Sequence, residues 1–382
     1  MRILFGSSAG VGHLLPILPV ARAAQARGHD VVVGSGASMG SLVGRAGLRH
    51  VVMGPAAIDD IRTRIPGLAE ADGRTRARLM FREGFARIVA SAMAEDMGAF
   101  VTGWRPDVIV HEDMEMGSWI IAERHGIPHV TIQATAWRPE QRAAVIPTQN
   151  ELRARHGLAP DPELRGRDGA IFFATRPASI RDPDLPMPSN TRDLRPEPDD
   201  RVGGEADELP AWLAAPIGRP RIAVTLGTVN AHRVDLLRPI LEGLGTMEVE
   251  VAVGLGADPA TLGAVPANVR VERYIPMSLV LPGSKAVIHH AGSGTTLAAL
   301  VAGCPMTVVP IAADQPENAD QVARAGVGIV LDPGRLTPDG VREAVSILLR
   351  RPGFAKRARA IAREIAAMPD AEDAVSDLEA LV

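Results

Sequence analysis

The stretch Ala286–Asn318, AVIHHAGSGTTLAALVAGCPMTVVPIAADQPEN, constrains the fold more than any other part of the chain. A short apolar run, Ala286 to His289, meets a glycine-rich turn, Ala291-Gly292-Ser293-Gly294, and then a helical pattern. In that pattern Leu297, Leu300 and Val301 recur at i, i+3 and i+4, and Gly303 stands where the helix would stop. A second apolar run, Thr307 to Ile311, leads into Asp314 and Gln315. Strand, glycine turn, helix and strand form the repeating unit of a parallel sheet. The same unit makes an anion site, because free N–H groups and the positive end of the helix dipole meet where glycines admit a phosphate. A glycine turn by itself needs to be no more than a tight connection. His290, Thr295 and the downstream Asp314-Gln315 favour a nucleotide-phosphate site.

The chain opens with the same kind of unit. Ile3 to Phe5 reads as a buried strand, GSSAGVG (Gly6 to Gly12) as a small-residue loop, and Leu14 to Arg27 as one helix closed by Gly28. Pro16 falls in its first turn, where a missing N–H costs little. Asp30 to Val33 is the next strand, so the opening is Rossmann-like. Its glycines do not make a dinucleotide fingerprint: after Gly10 and Gly12, position 15 is Leu15. His13 instead ends the loop, at the strand edge where such sheets bind ligands. A neutral imidazole there is a candidate general base; local hydrogen bonding is the plain alternative.

A helix is expected around Arg78 to Met97, and the arginines before it read as a solvated face. Pro106 to His111 is a clear strand running into Glu112, Asp113 and Glu115, at the same rim as His13. A carboxylate there could hold an imidazole's tautomer; the commoner use is helix capping. A helix through Trp119 and a strand from His129 to Gln133 follow. Composition shifts between Arg181 and Arg219, rich in proline and charge, which reads as loop and linker. A second sheet then begins at Arg221 to Leu226 and continues through Val249 to Val253, Val269 to Val271, Ala286 to His289, Thr307 to Ile311 and Gly328 to Leu331. A helix from Thr337-Pro338 and a basic helix, Phe354 to Met368, close the core before an acidic surface tail.

At 382 residues two domains are expected. With 41 basic against 45 acidic residues, net −4, no global field exists to hold nucleic acid. The single cysteine, Cys304, excludes an internal disulfide and a cysteine-built metal site. No signal peptide and no membrane-spanning apolar run is visible, so a cytoplasmic protein with no membrane partner is expected.

HHAGSGTTLAALVAGCPMTVVPIAADQPENADQVARAGVGIVL resembles the donor-binding signature of bacterial GT-B glycosyltransferases of family 1, which decorate natural products such as antibiotics. GVGHLLP resembles that family's opening motif. PDVIVHEDMEMGSWIIAERHGIPH resembles its central acceptor-domain stretch, and LPAWLAAP with VTLGT its linker exit and first donor strand. The resemblance covers nearly the whole chain and implies an α/β GT-B fold, two Rossmann-like domains facing across a cleft. Residues 1–197 would be the acceptor domain, 198–219 the linker, 220–352 the donor domain, and 353–382 a helix and tail packing back on the first domain.

The resemblance also implies roles. His13 would be the base, supported by Glu112, with Asp113, one register step away, or Glu115 of the same cluster as alternatives. His290, Gly292, Ser293, Gly294 and Thr295 would cradle the donor diphosphate, and Thr228 would approach it. The backbone at Tyr274 and Ile275 would hold the nucleobase, and Asp314 and Gln315 the sugar hydroxyls. Ala291 stands where many members carry glycine, and is expected to need no positive φ. Met80, Phe81, Met114, Met116 and Trp137 are candidates for an apolar acceptor wall, each equally readable as core. The implied reaction is inverting transfer of a sugar, without metal or other cofactor, from a nucleoside-diphosphate donor (TDP or UDP) to a small apolar aglycone. The nearest Asp-x-Asp, Asp182-Pro183-Asp184, reads as turn chemistry. Nothing argues against a homodimer. A GT-B epimerase of nucleotide-sugars and a non-catalytic helper remain alternative readings at this point.

Overall fold

The computed structural model describes residues 1–71, 73–136, 139–198, 200, 210–214, 218–227 and 233–382. The chain divides into two compact units. The first comprises Met1–Arg176, Asp182–Glu197 and Met368–Val382; the second comprises Pro177–Arg181 and Pro198–Ala367.

The first unit holds a parallel seven-stranded sheet: β1 (Arg2–Gly6), β2 (Asp30–Ser35), β3 (Arg49–Val52), β4 (Val108–Glu112), β5 (His129–Ile132), β6 (Ile171–Ala174) and β7 (Thr191–Asp193). Their order is β3-β2-β1-β4-β5-β6-β7. The central strands are apolar on both faces (ILF in β1, VIV in β4), as a sheet covered by helices on both sides requires. Chain order reverses between β1 and β4, where Gly6 pairs with His111. Ligands of doubly wound sheets bind outside the carboxyl ends of strands at such a reversal.

The second unit repeats the plan with six parallel strands: β8 (Arg221–Thr225), β9 (Glu250–Gly254), β10 (Val269–Glu272), β11 (Ala286–His289), β12 (Met306–Val308) and β13 (Gly328–Val330). The order β10-β9-β8-β11-β12-β13 puts its reversal between β8 and β11, where Thr225 pairs with His289.

Several elements differ from expectation. The first helix is two, Val11–Leu14 and Leu18–Ala26, because Pro16 and Pro19 lack the N–H groups a continuous ladder needs. The helix expected at Arg78 to Met97 is three pieces: α-helix at Gly73–Leu79 and Ala90–Trp104, with a π-helical segment, Met80–Val89, between them. β12 stops at Val308, two residues before Pro310. The acidic tail is a helix, Ala371–Glu379, whose Ala374, Val375 and Leu378 are buried and which packs on Leu18–Ala26. Asp370 caps it, accepting from Glu372 N (2.9 Å) and Asp373 N (3.2 Å). The basic helix runs Pro352–Ala366 and lies in the second unit, so the chain changes unit inside the segment read as one closing element.

Candidate active site

In the first unit His13 and Glu112 meet at the reversal point. Glu112 is the last residue of β4 and fully buried; the His13 side chain, from the helix that follows β1, is 17% exposed. His13 Nδ1 lies 3.3 Å from Glu112 Oε2. The carboxylate also accepts Ser8 N (3.2 Å, Oε1) and Met114 N (2.7 Å, Oε2). Burial alone would raise its pKa. The His13 ring and the two N–H donors outweigh that and hold Glu112 below the usual carboxylate range, ionised. The imidazole is fixed on its other sides too. A Cβ at Gly10 would lie 2.9 Å from His13 Cδ2, so a larger residue there would push the ring. The Phe85 ring stands 5.2 Å away, centroid to centroid, tilted by 41°.

Asp113 turns elsewhere. Its carboxylate accepts Ala134 N (2.9 Å), Thr135 N (3.3 Å) and Thr135 Oγ1 (2.9 Å), tying down the loop after β5. Burial, then the Glu112 charge, pushes Asp113 up to about 6. Glu115 caps the helix Ser118–His125 through Gly117 N (2.7 Å) and Ser118 N (3.1 Å), and burial raises it to about 7. Of three neighbouring carboxylates, the structure brings only Glu112 to His13.

In the second unit the turn after β11 wraps around His290. A Cβ at Gly227 would come within 2.6 Å of its Cε1, and one at Gly292 within 2.4 Å of its Nε2. The ring is thus clasped between two glycines, one from each strand at the reversal. Burial pushes it down to about 4, although the Asp314 carboxylate pulls the other way, so it is neutral near pH 7. Its Nδ1 is buried with no partner of hydrogen-bond geometry among the described residues. Gly292 is the N-cap of Ser293–Val301, a residue with no side chain of its own to cap the helix, and Gly294 and Thr295 lie in the first turn. Ala291 has φ +63°, against expectation. The turn demands the left-handed region, and Asn318 Nδ2, 2.9 Å from the Ala291 carbonyl, fastens it there.

Ser293 Oγ donates to Asp314 Oδ2, and Asn318 Nδ2 reaches the same oxygen at 3.1 Å. Gln315 Oε1 accepts Ile311 N (2.7 Å) and Ala312 N (2.9 Å), leaving its amide nitrogen as the end that can address a ligand. Tyr274 and Ile275 follow β10; the Tyr274 hydroxyl donates to the Asp200 carbonyl (2.5 Å), and Ile275 is buried. Thr228 and Trp137 lie outside the described residues. Asp182 Oδ1 accepts Asp184 N at 3.1 Å, a turn. Among the described residues no group of three or more His, Cys, Asp or Glu is placed to hold a metal ion, and no helix is long and apolar enough to cross a membrane.

Two family models match the chain: erythromycin biosynthesis protein CIII-like, N-terminal domain, over residues 22–136, and its C-terminal domain over 238–381. The elloramycin glycosyltransferase ElmGT of Streptomyces olivaceus is 32% identical, over 99% of this chain and 97% of its own length. The chain belongs to the EryCIII-like glycosyltransferases. Among solved structures, the glycosyltransferase SnogD from Streptomyces nogalater is 29% identical with a TM-score of 0.80, covering 100% of this chain and 99% of its own. VinC, solved in complex with DTDP, is 25% identical with a TM-score of 0.82 over 100% and 99%. This EryCIII-like enzyme is therefore a GT-B natural-product glycosyltransferase.

Among this transferase's apolar candidates, Met116 has no exposed surface and Phe81 and Met114 are nearly buried, all within one core cluster; Met80 is half-buried against it. In this conformation Met116 can shape a wall only through its neighbours. The reading of the sequence missed Asn318, although it lies one helical turn after Asp314 on the same face. It also missed Gly10 and Phe85 as walls of the His13 site, for which no spacing signal exists.

Proposed function

We propose that this enzyme transfers a sugar from a thymidine or uridine diphosphate donor to a hydroxyl of a small apolar aglycone, with inversion at the anomeric carbon and without a metal. The observation that carries the reading is the His13–Glu112 pair at the strand-order reversal of the first sheet, its carboxylate fully buried and its imidazole part-exposed. With Nδ1 committed to Glu112, Nε2 takes the acceptor proton as the acceptor oxygen attacks, and the buried carboxylate stabilises the imidazolium that forms. Positioned base catalysis of this kind contributes about 10²–10⁴-fold.

The second unit holds the donor in this scheme. The helix N-terminus at Gly292–Thr295 and the neutral His290 ring clasped beside it meet the leaving diphosphate in this reading. Asp314 and the Gln315 amide nitrogen hold the sugar hydroxyls, the Tyr274–Ile275 backbone the base, and Thr228 the phosphates. The relatives support this donor class: one is named TDP-daunosamine transferase DnrS and VinC was solved with DTDP. Others are named as transferases acting on 10-deoxymethynolide and tylactone, which supports a greasy aglycone.

The test begins by screening TDP- and UDP-glucose against polyketide aglycones, with products read by mass. His13→Ala should then leave TDP affinity within about threefold while turnover falls by about 10²-fold or more. Near-normal turnover by that variant would reject the assignment.

A further inference from the structure

We propose that Phe85 is a positioning residue for His13, seated against the imidazole by a π-helical register that Gln149 enforces. The inference rests on the reading of His13 as the base. Phe85 lies in Met80–Val89, and Ala90 N at its end reaches the carbonyls of Phe85 and Arg87, the first of these five residues back. An α register would give Ala90 N to the Ala86 carbonyl. That carbonyl instead receives Gln149 Nε2 at 2.9 Å, within the buried core. A side-chain donor inserted into the backbone ladder is a known cause of such local re-registering. Gln149 is itself held: its Oε1 accepts Trp119 Nε1 at 3.0 Å, and both side chains are fully buried.

The added residue per turn advances everything after the insertion around the helix axis. π-helical insertions in α-helices are frequent at functional sites. Here the turn presents the Phe85 ring to His13 at 5.2 Å. Phe85 thereby packs on the imidazole alongside the Glu112 and Gly10 contacts. Without the ring, the imidazole could swing off the Glu112 axis, and water could reach the pair. A side chain that is simply core filler would need neither the register shift nor a buried amide dedicated to it.

The experiment uses the full chain labelled at histidine Cε1, the donor–acceptor pair found for the wild type, and TDP as the binding probe. Gln149→Leu and Phe85→Leu should each lower kcat by about 10–100-fold. Acceptor KM and TDP affinity should stay within about threefold, and Phe85→Tyr should recover most of the rate. The titration midpoint of the His13 resonance, whose ring faces the Glu112 carboxylate at 3.3 Å, should move by about half a unit or more in both leucine variants. Folded leucine variants with an unmoved midpoint, or with normal kcat and only a lowered Tm, would overturn the proposal. If Gln149→Leu does not fold, Phe85→Leu and Phe85→Tyr decide it. Should His13→Ala keep its turnover, the base reading falls separately, and the midpoint still reports whether Phe85 seats the ring.

Discussion

Glu112 is held by two backbone N–H groups, one on each carboxylate oxygen, so a neutral isostere at this position changes the chemistry and gives up one of those bonds. In Glu112→Gln the amide oxygen can still accept from Ser8 when it takes the Oε1 place, while the Oε2 place that served Met114 N and faces His13 becomes NH2. Its NH2 group can then donate to His13 Nδ1, which moves the ring proton to Nε2 and removes the base. Turnover is expected to fall by about 10²–10⁴-fold with TDP affinity unchanged; a loss below tenfold would show that Glu112 does not set the tautomer. The sequence carried this pair only to within one residue. His13 and the Glu112–Glu115 cluster are readable because both follow apolar strand runs, which places them on one rim. Counting cannot decide which carboxylate points inward. That depends on Asp113 spending its oxygens on Ala134 and Thr135, in a loop far along the chain. Ala291 shows the opposite limit: a methyl at φ +63° costs about 1–2 kcal/mol, and the penalty is invisible until the turn is seen.

At the level of elements, most strands with continuous apolar runs were legible, because burial on both faces leaves a strong local signature. β3, β6 and β7 were not. RHVV and TRD carry charge, and IFFA is four residues long with no flanking period. The π-helical segment keeps helical spacing in sequence while changing its hydrogen bonds, so periodicity cannot detect it. The final helix was hidden by composition: its polar face dominates a nine-residue segment, yet Leu378 is fully buried. That burial carries a prediction. Leu378→Ala should destabilise the first unit by about 2–5 kcal/mol, and Asp370→Ala, which removes the cap, by about 0.5–2 kcal/mol. Denaturant unfolding followed by hydrogen exchange checks both; a loss confined to the second unit would refute the assignment of this helix to the first.

Across the whole molecule, buried ionisable groups are unevenly shared. His289 and His290 in the second unit are pushed down by burial to about 3 and about 4. Folded, they stay neutral well below the pH at which the unfolded chain protonates them. The unfolded state therefore binds more protons between about pH 6.5 and 4, and each histidine withdraws up to about 1.4 kcal/mol per pH unit as the solution is acidified. His111 and His129 behave likewise in the first unit, at about 3 and about 4. There, Asp113 and Glu115, raised to about 6 and about 7, take up protons in the folded state over the same range and offset them. Among the described residues of the second unit, the upward shift of Asp200, also from burial, leans that way. Acidification from pH 7.5 to 5 should thus release the second unit first. Hydrogen exchange by mass spectrometry reads this directly; earlier loss of protection in the first unit would contradict it.

The assignment of Met368–Val382 to the first unit has a consequence for anyone recombining these enzymes. A hybrid spliced once, near residue 198, would import a foreign closing helix along with the foreign second unit. Arg27 and His29 would then face substitutes for Glu372 and Glu379, their present partners at 2.7 and 2.9 Å. Apart from the short piece Pro177–Arg181, the second unit is instead an insert, bounded at both ends by sequence of the first. The main exchangeable segment is Pro198–Ala367, and it needs two seams.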